Sequence, residues 1–150
     1  MAGTPNTIQL TGGSEGCPVT LEAVAASAIT PGDLIEFTTA GTVQAHSSAD
    51  GISEKLVALE NLPAGGTITD AYAASDTVRI GRFKPGSVVY MTLAASQVAT
   101  LATPLVSNGA GKLKINAAAA ASIVEGAVIG YPVEAVTTTG STARIKVRIL

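Results

Sequence analysis

Ala143-Arg144-Ile145-Lys146-Val147-Arg148-Ile149-Leu150 ends the chain in a strict two-residue alternation. Ile145, Val147 and Ile149 fall on one side, and Arg144, Lys146 and Arg148 on the other. Successive side chains of a strand point to opposite faces, so the stretch predicts a half-buried antiparallel strand with its aliphatic face inward. The three basic residues then share the outer face, about 6–7 Å apart along the strand. That face is either a solvated edge or a surface for an acidic partner.

The same period recurs upstream between turn signals. Val88-Val89-Tyr90-Met91-Thr92-Leu93 is a run of branched and aromatic residues launched by Lys84-Pro85-Gly86-Ser87. Before it, Thr77–Phe83 sets Val78, Ile80 and Phe83 around two outward arginines. Pro31-Gly32-Asp33 reads as a turn, because Pro presets φ and Gly accepts a positive φ at the next position. It leads into Leu34–Thr38, and Ala40-Gly41 turns the chain into Thr42–His46. Lys55–Glu60 reads as a mostly buried strand, and Asn61–Gly66 as a loop. Asn108-Gly109 between Leu105-Val106-Ser107 and Leu113-Lys114-Ile115 is a strong hairpin signal. Val128–Val136 supplies a further extended piece. The fold class is mainly β: a small antiparallel β-barrel or sandwich of about eight short strands.

Two stretches depart from this pattern. Residues 1–27 are expected to form an extended N-terminal arm without a core of its own, in front of a single β-rich domain at residues 28–150. Thr7-Ile8-Gln9-Leu10 is the one alternating piece near the start of the arm, and Thr7, Ile8, Gln9 and Leu10 are candidate contacts with a neighbouring subunit. Val19–Val24 also alternates, although the same residues equally begin a short Ala-rich helix. Ala117–Ala121 is expected to form a single helical turn or a tight loop, since isolated short helices are marginal in water.

Composition narrows the function. Of 150 residues, 47% are hydrophobic, 13% charged and 3% aromatic, so the core is aliphatic and disorder is excluded. So few charges imply that some apolar surface is covered by another protein. Residues 1–54 hold six acids and no Lys or Arg, whereas all nine basic residues lie after them, a division that favours contact between unlike faces. Cys17 is the lone cysteine, which precludes an intrachain disulfide and points to a reducing compartment. The N-terminus lacks the basic and apolar regions of a signal peptide, and Ser, Glu, Gly and Pro interrupt the longest apolar run, so no membrane partner is expected.

Chemistry is nearly absent from the pattern. His46 is the only histidine, and no Gly-x-Ser-x-Gly elbow exposes a serine for it to activate. It reads as a partly exposed residue at a strand end. One His and one Cys cannot build a metal centre, and no glycine-rich stretch opens a helix to hold a phosphate. A net charge of −2 and few aromatics argue against nucleic acid. The expectation is a non-enzyme with no cofactor, no metal and no catalytic residue.

Residues 31–150 resemble the small head decoration (capsid cement) proteins of tailed bacteriophages. The resemblance is carried by Pro31–Phe37, Leu105–Leu113, Ile129–Val136 and Ala143–Leu150. It implies a structural virion protein made in the host bacterial cytoplasm, on the outer capsid surface. There it clamps subunits of the major capsid protein and associates with itself, often as a homotrimer. Arg144, Lys146 and Arg148 are then candidate subunit or capsid contacts. The alternative is a secreted or surface β-domain acting as an adhesive or carbohydrate-binding module, for which stacking aromatics are scarce.

Overall fold

The computed structural model describes residues 4–11, 18–117, 124 and 126–150. In chain order its strands are β1 Gln9–Thr11, β2 Val19–Val24, β3 Leu34–Phe37, β4 Val43–Ala45, β5 Leu56–Ala58, β6 Thr77–Arg82 and β7 Val88–Leu93. There follow β8 Val98–Ala99, β9 Leu105–Ser107, β10 Leu113–Ile115, β11 Gly130–Pro132, β12 Val136–Thr137 and β13 Ala143–Ile149. The mainly β class is as expected, and a single 3-10 turn at Leu62–Ala64 is the only helical element among the described residues. Among the described residues thirteen strands replace about eight because several, such as the two-residue β8 and β12, are too short to show a period.

Five strands close on themselves. β7 pairs with β13, β13 with β11, β11 with β9, β9 with β10, and β10 returns to β7. All these ladders are antiparallel except the closing Leu113–Leu93 bridge, which is parallel. The β7–β13 ladder sets Ile145 opposite Met91 and Val147 opposite Val89. All four are fully buried, so the alternation at the chain end does face inward. Gly130 lets β11 pass close to β13, since a Cβ there would collide with the Arg148 carbonyl.

A second sheet runs β2-β6-β5-β3-β4. Its two ends meet where Ala25 bridges Val43 and the Ala26 N–H donates to the Val43 carbonyl at 2.8 Å. The stretch that also suited a helix, Val19–Val24, is therefore a strand, paired with β6 from Val19–Arg82 to Val24–Thr77.

Two apolar clusters result, and β3 and β5 divide them. Leu34 and Val57, a cross-strand pair, join Met91, Leu93, Leu105, Ile129 and Ile145 in the first. Ile35 and Leu56, the next pair, join Val43, Tyr72, Val78 and Ile80 in the second. A strand covered on both faces needs a continuous apolar run rather than alternation, which is what Leu34-Ile35 and Leu56-Val57-Ala58 supply.

Two residues of the arm expected at residues 1–27 enter the cores built by the rest of the chain. Ile8 is fully buried in the first cluster, and its carbonyl accepts from Tyr90 N–H at 2.8 Å. Ala25 lies in the second cluster. Both follow from extended pairing next to them, β1 on β7 and β2 on β6, which carries these apolar side chains over existing cores. The expectations for Cys17 and for residues 118–121 fall outside the described residues.

Ile8→Ala should therefore lower stability by about 2–5 kcal/mol, the usual range for truncating a buried Ile. Thr7→Ala, on an exposed neighbour, should cost under about 0.5 kcal/mol. Urea denaturation of the two variants checks the contrast.

Candidate interaction site

The outer face of β13 holds the three basic residues together, but packing treats each differently. Arg144 sits opposite Thr92 with its guanidinium 5.8 Å from the Tyr90 ring centroid. Its Nη2 donates to the Ile68 carbonyl, and its Nη1 is buried without a hydrogen-bond partner. Burial holds this guanidinium below its ordinary pKa, against the opposing pull of Asp33, Tyr90 and Glu60.

Asp33 is the buried acid beside it. The Pro31-Gly32 turn places it: Gly32 has φ +92°, and the Asp33 N–H closes the turn on the Thr30 carbonyl at 3.0 Å. Any side chain at Gly32 would collide with the Arg144 guanidinium. Burial raises the Asp33 carboxyl pKa, while Lys112, the Thr30 N–H, the Thr92 hydroxyl and Arg144 pull it down without cancelling that effect. Asp33, Thr92, Lys112 and Arg144 share a cavity of about 310 Å³ with Thr30 and Thr142. The acidic N-terminal part thus meets the basic C-terminal part inside one copy, at Asp33 and Arg144.

Lys146 is also engaged internally. Its Nζ lies 3.0 Å from Glu134 Oε2, and its backbone N–H donates to Glu134 Oε1. Of the three, Arg148 alone is exposed, and the other two are half-buried. It borders a shallow groove with Leu101, Tyr131, Pro132, Val133 and Leu150. Leu101 is 62% exposed, Leu150 45% and Tyr131 37%. The sequence shows no signal for this groove, because an unpaired Leu outside an alternating run has no readable face.

The N-terminal candidates divide in the same way. Ile8 is core, and its N–H donates to Glu60 Oε2 at 3.3 Å. Thr7 is exposed with its hydroxyl on the Gln9 carbonyl, while Gln9 and Leu10 are half-buried along β7. The structure does not bring this quartet together with Arg148 in one pocket: none of Thr7, Ile8, Gln9 or Leu10 lines the Arg148 groove.

His46 is a further correction. It is 2% exposed, because β4 delivers it between β3 and the Asn108 hairpin rather than to the surface. Its Nε2 lies 3.1 Å from the Ile52 carbonyl, and its Nδ1 lies 2.8 Å from Ser107 Oγ. A carbonyl only accepts, so Nε2 carries the proton and Nδ1 accepts from the Ser107 hydroxyl in the neutral ring. Glu36 Oε2 approaches the same Nε2 at 3.7 Å. Carboxylate, imidazole and serine are in contact, yet Ser107 is fully buried and its Oγ also accepts from the Gly109 N–H. Such a serine is unavailable to a substrate, and the array ties the two sheets together. Among the described residues no group of three or more His, Cys, Asp or Glu could hold a metal. No helix among them is long and apolar enough to cross a membrane.

Glu36 gives this clasp a measurable pH dependence. Burial opposes its charge, but the Ser47 hydroxyl, the Gln44 amide, the Ser47 N–H and His46 together hold its pKa below the ordinary 4.5. A carboxylate with a depressed folded-state pKa stabilises the fold above its unfolded pKa, and that contribution disappears as pH falls through the folded value. The stability difference between the native chain and Glu36→Gln should thus be constant at neutral pH and shrink below about pH 4.5. Urea midpoints measured from pH 7 to pH 3 check this.

No protein-family model matches the chain, and no curated protein matches it. Among solved structures it is similar to the N base of the head fiber protein gp8.5 of bacteriophage phi29. The TM-score is 0.58 at 12% identity, over 88% of this chain and 93% of that one. The two share a fold.

Proposed function

We propose that this chain is a structural protein of a tailed-phage virion, seated on the outside of the assembled head. There it bridges subunits of the major capsid protein and stabilises the shell, with copies grouped in threes. The carrying observation is the shared fold with a phage head-fiber base over nearly the whole of both chains. The sequence resemblance to decoration proteins points independently to the same setting.

The surface chemistry fits such a role. The described residues present a closed β-scaffold whose only serine–histidine contact is sealed. No cofactor, nucleic acid or catalytic step enters this reading. The groove around Arg148 offers apolar area from Leu101, Tyr131 and Leu150 with one exposed cation at its border, and it is the face assigned to the capsid. A protein that binds only the assembled shell stabilises it by its binding free energy, summed over many copies. A second reading, a base carrying a projecting fiber, is favoured by the description of the phi29 neighbour.

The test is a binding assay on heads of the phage that carries this gene. The chain should sediment with assembled heads, not with free capsid protein, and should raise the temperature at which heads rupture. Arg148→Glu should weaken head binding about tenfold, or about 1.4 kcal/mol, with unchanged thermal unfolding of the free chain. Equal binding to unassembled subunits, or none to heads, contradicts the proposal. Cryo-electron microscopy of decorated heads separates the two readings by the presence or absence of density projecting beyond this domain.

A further inference from the structure

Beside the Pro31-Gly32 turn, three buried polar atoms lack a hydrogen bond of normal geometry: Asp33 Oδ1, Thr92 Oγ1 and Arg144 Nη1. Asp33 is 5% exposed and Thr92 9%, and all three side chains line the cavity of about 310 Å³. Buried polar groups are nearly always paired, so several left open around one cavity mark a place for a polar ligand. The other atoms of the two charged groups are already committed. Asp33 Oδ2 accepts from the Thr30 N–H at 3.2 Å, and Arg144 Nη2 donates to the Ile68 carbonyl. Gly32 leaves room for Nη1, because a Cβ there would collide with it. Thr92 sits opposite Arg144 in the β7–β13 ladder, and its N–H donates to the Gly32 carbonyl at 3.1 Å. Turn, β7 and β13 thus fix an unpaired acceptor and an unpaired donor around one space.

Lys112 completes the lining. Its Nζ stands 4.0 Å from Asp33 Oδ1, too far for a hydrogen bond, and its bond to the Ala110 carbonyl is long at 3.4 Å. Its side chain is 32% exposed against 6% for Asp33, so it is the outer member of the set. Two cations in the lining stand against one carboxylate, which favours an anion over a cation. An anion without a proton, however, would set its oxygens against Asp33, which as a carboxylate can only accept. The fitting ligand is an oxyanion that still carries an O–H.

We propose that this cavity binds free hydrogen phosphate, whose O–H donates to Asp33 Oδ1 while its other oxygens accept from Arg144 Nη1, the Thr92 hydroxyl and the Lys112 ammonium. The flexible Lys112 side chain moves to admit the ion to the buried atoms. Charge-assisted bonds from Arg144 and Lys112 supply the affinity, and Asp33 supplies the choice. Sulfate has the same shape but no proton at neutral pH, so the carboxylate repels it. None of these residues borders the Arg148 groove, and the inference does not depend on the virion reading.

Titration of the full chain with inorganic phosphate and with sulfate, at neutral pH and matched ionic strength, tests this. The amide NMR signals of Asp33 and Thr92 report occupancy. Phosphate should bind at least about tenfold more tightly than sulfate, which leaves the Asp33 acceptor opposed. Glycerol phosphate is mostly without a proton at neutral pH and should bind more weakly than free phosphate. Equal or tighter binding of that monoester overturns the assignment. Asp33→Asn keeps the shape and an acceptor for the Thr30 N–H, but turns the open acceptor into an N–H donor. It should abolish the preference for phosphate over sulfate. Equal binding of both anions by the native chain, binding of neither, or a preference that survives Asp33→Asn overturns the proposal. If Asp33→Asn fails to fold, Lys112→Gln at the half-buried rim should weaken phosphate binding about tenfold. Unchanged phosphate affinity in that variant also overturns it.

Discussion

The fold depends on a wall that is buried on both faces. Leu34–Val57 and Ile35–Leu56 are successive cross-strand pairs, and each presses into a different apolar cluster. Complete burial of one such side chain stabilises by roughly 1.5–3 kcal/mol. A polar residue at any of these positions would put an unsatisfied group inside a core, whichever face it occupied. The barrel and the bent second sheet consequently share packing, and neither core is complete without β3 and β5.

That arrangement explains which parts of the fold were legible in the sequence. Strands with one wet face, β6 and β13 above all, show their period directly in Val78, Ile80, Ile145 and Val147. Leu56-Val57-Ala58 shows none, and its run of apolar residues marks double burial instead. Ring closure was not legible, because the Leu113–Leu93 and Ala25–Val43 bridges join residues distant in sequence. The N-terminal segment shows no core signal for a related reason. Ile8 is a single apolar residue among Thr, Asn and Gln, and only the tertiary fold supplies the core it enters.

The candidate site was legible in its residue types and not in their fates. Alternation places Arg144, Lys146 and Arg148 on one face, but their partners come from separate loops. Asp33 arrives on a Pro-Gly turn, and Glu134 follows β11. Two of three apparent surface cations are thereby spent inside the protein, leaving Arg148 to the surface. His46 illustrates the same limit, since its burial is set by Ser107, 61 residues away.

Native-state hydrogen exchange tests the shared wall most directly. The Ala58 amide, held by the Asp33 carbonyl at 3.0 Å, belongs to the wall. The backbone amides of Met91 and Ile145 report on the barrel, and that of Ile80 on the second sheet. If the wall couples the two cores, their slowest amides open with one common free energy, equal to that of global unfolding. A second-sheet set that opens at a free energy several kcal/mol lower, with the barrel still protected, would contradict a single cooperative unit.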